Sequence, residues 1–184
     1  MSNKYKFHDP EGIYFVTFSV VGWVDVFTRN EYRNIVIDSF NYCIKNKGLV
    51  IHSWVIMTNH VHMIISRKGQ MPLEYIMRDM KKFTSVEIIH TIEKSKVESR
   101  KAWMIKIFEE YGKTNSNNVK FQFWQQDNHP IELSSNNVIE QKLNYIHENP
   151  VKQGITNLAE CYDWSSAVDY SGGKGLVEIE MLGF

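Results

Sequence analysis

Cysteine is scarce in this chain, with only Cys43 and Cys161 in 184 residues. A pair so far apart builds neither a disulfide framework nor a zinc knuckle, so a reducing cytoplasm is the expected compartment. Proline is sparse too, at four residues, and no low-complexity linker or internal repeat divides the chain. No apolar run approaches the length of a membrane span, and the opening Met-Ser-Asn-Lys-Tyr-Lys-Phe lacks a signal-peptide core. Net charge is also missing: 21 Lys and Arg balance 21 Asp and Glu, which excludes a uniformly basic protein. What the chain does have is 43% hydrophobic and 13% aromatic residues, enough to bury a core as one domain over residues 1–184.

The charge is unevenly spread. Between positions 78 and 106 bases outnumber acids, and from 107 onward the balance reverses. Phosphate contacts are local, so a neutral chain can still present one basic face to nucleic acid. Arg78, Lys81, Lys82, Arg100 and Lys101 are the candidates for such DNA-backbone contacts. A solvated helix surface is the competing account of the same run.

Hydrophobic periodicity predicts a mixed order of elements. Ile13–Val21 is β-branched and aromatic, hence a strand; Glu31–Lys47 carries a helical apolar stripe that stops at Gly48. Leu49–Met57 and His60–Ser66 read as strands joined through Thr58-Asn59, a link short enough for an antiparallel hairpin. Pro72 opens a helix to about Ile92, Lys96–Tyr111 is a further helix, and Gly112–Asn118 is a loop by composition. Val119–Trp124 alternates as a strand, and a helix follows Ser134-Ser135 and ends at Asn149-Pro150. The predicted fold is α+β and ferredoxin-like, a split βαβ (RRM-like) antiparallel sheet with helices on one face plus extra C-terminal helices. The open sheet face is expected to present the His60 strand. Residues 135–149 form the tyrosine-bearing helix and 150–184 a C-terminal extension.

Two short motifs carry chemistry. In a strand, side chains alternate between faces, so His60 and His62 project from the same side. Two imidazoles on one face make half a site for a divalent metal, or a pair on a wet surface. In the late helix, Tyr145 and Asn149 are four residues apart and share a face. A phenol is a poor nucleophile near neutral pH, but becomes useful where a metal polarises a phosphodiester. The Asn149 side-chain oxygen can complete a site begun by the imidazoles, with Glu148 and Gln141 as rival ligands. Pro150 biases Asn149 away from the helical region and so leaves its place open. His52 and His147 read as packing residues, with DNA contact an alternative for His147.

Together these residues resemble a known family. Thr58-Asn-His-Val-His62 looks like the "PNHVH" signature of the HUH single-tyrosine transposases, and Tyr145-Ile-His-Glu-Asn-Pro-Val-Lys-Gln-Gly-Ile155 like the "YIHxNPVxxGL" segment of their REP-associated tyrosine transposase branch. Gly12–Phe18, Phe123-Trp-Gln and Asp163-Trp-Ser-Ser-Ala167 extend the likeness over most of the chain, with Thr58 standing where the family usually has proline. The resemblance implies a metal-dependent transposase and endonuclease for single-stranded DNA with hairpin or repeat structure. His60, His62 and Asn149 would hold Mg²⁺ or Mn²⁺, and Tyr145 would form a 5′-phosphotyrosine. It also implies a bacterial cytoplasmic protein, nucleoid-associated when bound to DNA, acting as a homodimer or a monomer. A non-catalytic hairpin-binding module on the same fold is the rival class, and a metal-dependent hydrolase a weaker one.

Overall fold

The structure, a computed structural model, describes residues 7–113, 120–126 and 128–183. Strand β1 (Tyr14–Ser19), helix α1 (Asn30–Lys47) and the hairpin of β2 (Leu49–Ile56) and β3 (His60–Arg67) come first. Helices α2 (Leu73–Lys94) and α3 (Lys101–Lys113), a two-residue β4 (Ile131–Glu132), α4 (Asn136–Lys152) and the short α5 (Ala167–Tyr170) follow. The strands form one antiparallel sheet in the order β2-β3-β1-β4, the ferredoxin-like order expected from the sequence. Helix α1 ends because Gly48 adopts φ 72°, a left-handed cap that glycine takes without steric cost.

The sheet is buried on both faces. On one side Val16, Phe18, Trp54, Val61 and Met63 pack against the apolar stripes of α1 and α2, including Phe40, Ile76 and Met80. On the other, Phe15, Val55 and Ile64 pack against Ile139, Leu143 and Ile146 of α4. The extra C-terminal helix therefore lies over the face that the sequence reading left open. Tyr162 joins that second core, and its hydroxyl donates to the Ile56 carbonyl at 2.8 Å. Trp164–Ser166 runs along the outer edge of β2, with Ile56 N donating to Trp164 O and Ser166 N to Trp54 O. The 150–184 extension is thus part of the sheet's edge protection.

Three local expectations are corrected. Lys120–Trp124 forms no regular strand: Trp124 makes an isolated bridge to Val20, and the sheet's fourth strand lies later, at Ile131–Glu132 (Val119 lies outside the described residues). Both stretches serve the free edge of β1, where Val21 N, Thr17 N and Leu133 N bond to Phe123 O, Asn128 O and Ile13 O. An edge paired piecemeal needs no alternating strand. The helix expected from Lys96 starts at Lys101, because the Glu98 carboxylate holds the Arg100 backbone and guanidinium in a preceding turn. It also continues through Gly112 and Lys113, the start of the expected loop, whose remainder lies outside the described residues. Finally, α4 runs past Pro150 to Lys152. In the last turn proline forfeits a single hydrogen bond, and burial of Asn149 and Pro150 outweighs that loss.

Candidate active site

The site grows from the β2–β3 hairpin. Met57 N donates to His60 O at 2.8 Å, so Thr58-Asn59 is a two-residue turn whose carbonyls accept from Phe27 N and Val20 N, both at 2.8 Å. This grip fixes the start of β3, where His60 and His62 face the α4 side while Val61 and Met63 enter the opposite core. The two rings lie 4.7 Å apart between centroids. His62 is only 5% exposed and stacks on Phe15 at 5.4 Å, whereas His60 is half-buried.

Hydrogen bonds aim both rings. His60 Nδ1 lies 2.7 Å from Asn59 Oδ1. Asn59 Nδ2 donates to Trp23 O and Asp25 Oδ1, which fixes Oδ1 as the acceptor and puts the proton on His60 Nδ1. The lone pair of His60 is therefore on Nε2. His62 Nδ1 is hydrogen-bonded to Thr17 Oγ1 at 2.6 Å from the neighbouring strand β1. Burial lowers the pKa of both rings: that of His62 falls to about 3, helped by the nearby His60 and Lys142, and Asp25 partly opposes the effect at His60. Neutral imidazoles oriented through Nδ1 have the state and posture of metal-binding histidines.

Helix α4 brings the tyrosine over this pair. Tyr145 Oη is 3.4 Å from His62 Nε2, with the rings 5.1 Å apart, and the side chain stays 41% exposed. Lys142, one turn earlier on the same face, holds Nζ 4.6 Å from the Phe15 ring centroid and 5.7 Å from that of Tyr145. Asn149, one turn later, is buried, while Gln141 and Glu148 are exposed. On the helical wheel Asn149 falls between Tyr145 and the apolar stripe that meets the sheet, and its two rivals fall on the outer side. On the far flank of α4, His147 Nε2 bonds Ser166 Oγ at 3.0 Å and Ser53 Oγ at 3.2 Å. A β-bulge between Ile51 and Ser53 turns both His52 and Ser53 toward this side of the sheet. His52 is taken up by Ser66 Oγ and Glu180 O, a packing role.

Residues 16–106 match the family model described as transposase IS200-like. The chain belongs to the IS200-like transposase family. No curated protein sequence matches it. A solved structure described as a REP-associated tyrosine transposase bound to a REP hairpin matches with a TM-score of 0.61. That likeness covers 100% of this chain and 95% of the other at 17% identity, so it speaks for the fold. The family match contains the histidine pair, and the fold match extends over the Tyr145 helix.

Within this IS200-like transposase, His60, His62 and Tyr145 are gathered at one place, and Asn149 is buried one turn beyond Tyr145 on α4. The expected DNA contacts are not. Helix α2, which carries Arg78, Lys81 and Lys82, packs on the opposite sheet face. Lys81 Nζ donates to Gln125 O and Asn128 Oδ1 and so ties α2 to the β1 edge. Arg100 binds the buried Glu98 and the Asp25 carbonyl, and Lys101 caps α2 through Glu93 O and Ser95 O. Arg78 pairs with Asp79, and Lys82 is exposed. Sequence reasoning missed Asn59, Thr17 and Lys142. Lys142 alone had a local signal, being three residues before the tyrosine on the same helix face.

Proposed function

We propose that this chain cuts and rejoins single-stranded DNA through a covalent tyrosine intermediate, at hairpin or repeat sequences. The observation that carries the reading is the Tyr145 hydroxyl 3.4 Å from His62 Nε2, over two neutral imidazoles that a different element supplies. Membership of the IS200-like transposases supports the reaction class, and the REP hairpin on the structural neighbour supports a hairpin substrate.

The residues that would hold Mg²⁺ or Mn²⁺ are His60 and His62 through Nε2, two ring nitrogens from one strand face, and Asn149 through its amide oxygen, a hard donor one turn beyond Tyr145 on α4. Exposure of Glu148 and Gln141 on the outer side of α4 favours Asn149 over both. Such an ion would supply Lewis-acid polarisation of the scissile phosphate. Tyr145 Oη attacks the phosphorus, its proton passing to water, and the bond from phosphorus to the 3′ oxygen breaks. A 5′-phosphotyrosine and a free 3′-OH result. The ester keeps the energy of the broken bond, so an incoming 3′-OH can reverse the step and join strands. The Lys142 ammonium lies where it can meet the phosphate beside Tyr145. Arg78 and Lys82, on the opposite sheet face, would meet only DNA backbone that wraps away from the site.

Nucleophile and histidines come from one chain, so a monomer is sufficient for this chemistry. Among the described residues no helix is long and apolar enough to cross a membrane, and the reading calls for a protein acting on cytoplasmic DNA. The test is incubation with hairpin-bearing single-stranded DNA and Mn²⁺. A denaturation-resistant adduct mapped to Tyr145 is expected; binding without an adduct would instead favour the hairpin-binding module.

A further inference from the structure

The turn before α1 holds a side chain that the fold does not use. Gly22 and Trp23 both have positive φ, 63° and 55°, and Val24 N reaches back to Val21 O at 3.5 Å. Two successive left-handed residues are the geometry of a type I′ turn, which favours Gly, Asn and Asp. Tryptophan at the second position is strained, and burial does not offset the strain, because Trp23 is 59% exposed. Its place is specific. The indole meets the His60 ring edge to face at 6.2 Å, and the Trp23 carbonyl accepts from Asn59 Nδ2 at 3.3 Å. Asn59 is the residue that orients His60, so one side chain fixes both the imidazole and the turn that presents the indole.

We propose that Trp23 is the stacking platform for a nucleobase adjoining the scissile phosphate, a substrate-positioning role. The inference rests on the reaction proposed above, in which single-stranded DNA passes His60. An exposed π-face beside a phosphate site offers a base what an apolar side chain cannot, and base–aromatic stacking tolerates any sequence. A purely structural tryptophan would be buried, and a turn residue selected for its backbone would be glycine or asparagine.

The test measures binding to a pool of hairpin-bearing single-stranded oligonucleotides with randomised flanks, together with Tm. Trp23→Asn relaxes the turn and removes the ring, so Tm should hold or rise while Kd weakens by about five- to a hundredfold. Trp23→Phe and Trp23→Leu keep an apolar side chain on the same strained backbone, and only phenylalanine stacks. Phenylalanine should hold Kd near the parent value and leucine should match asparagine. Leucine binding as tightly as phenylalanine, or asparagine binding as tightly as tryptophan, would overturn the assignment. The Tyr145 adduct of the parent chain is read in the same samples: its absence counts against the proposed reaction, and its presence with an indifferent Trp23 series counts against the stacking role alone.

Discussion

At the residue scale, the site is governed by second partners. His60 presents Nε2 because Asn59 Oδ1 takes its other nitrogen, and His62 is steadied by Thr17 across the strand pair. Removing such a partner typically weakens metal binding by about 10- to 100-fold. Asn59→Ala should therefore bind Mn²⁺ that much more weakly by calorimetry with Tm changed little; unchanged affinity would mean that Asn59 serves the turn alone. Lys142→Met keeps the stem but removes the charge over Tyr145. Adduct formation in a timed quench should slow on the order of tenfold, less than loss of a full oxyanion donor. The histidine pair and the tyrosine were legible because they lie at strand and helix spacing within short segments. Asn59 and Thr17 were not: their roles depend on a hairpin tip and on the pairing of Thr17 with His62, which local periodicity does not encode.

At the element scale, α4 is the working part. Its inner stripe of Ile139, Leu143 and Ile146 docks on the sheet, its outer face carries Lys142 and Tyr145, and His147 pins its flank to Ser53 and Ser166. His147→Ala removes its hydrogen bonds to Ser53 and Ser166, whose hydroxyls keep each other as partners, and should cost about 1 kcal/mol in urea unfolding. Single-turnover cleavage should fall as well, because His147 anchors the flank of α4 two positions from Tyr145. A variant equally active despite the lost stability would make His147 a packing residue only. Helices α1, α2 and α4 and strands β1–β3 could be read from their apolar spacing. Strand β4 could not, since two residues carry no period, and residues 120–126 protect the same edge through scattered backbone bonds.

At the scale of the whole molecule, one sheet separates two layers, helices for stability on one face and the tyrosine helix on the other. The expected DNA contacts between Arg78 and Lys101 belong to the stabilising layer, and four of the five bond within the chain, Arg78 to its neighbour Asp79 and Lys81, Arg100 and Lys101 to more distant groups. The centre of that layer is Glu98, whose fully buried carboxylate meets Arg29 and Arg100, each at 2.9 Å, with the Tyr32 hydroxyl donating to it. The Arg100 hydrogen bonds hold its pKa at about 2 against 4.5 for an ordinary glutamate. The unfolded chain thus binds more protons between those values. The contribution is complete above pH 4.5 and lost as pH falls toward 2. Glu98→Gln should cost about 3–5 kcal/mol at neutral pH and flatten this acid limb, as urea midpoints at pH 7 and pH 3 would show. The central claim, that Tyr145 attacks DNA beside His60 and His62, is tested most directly by mass spectrometry of the chain after incubation with hairpin-bearing single-stranded DNA and Mn²⁺. The account predicts a nucleotide adduct on the peptide containing Tyr145, absent from Tyr145→Phe and from His62→Ala; cleaved DNA with no adduct, or cleavage by Tyr145→Phe, would contradict it.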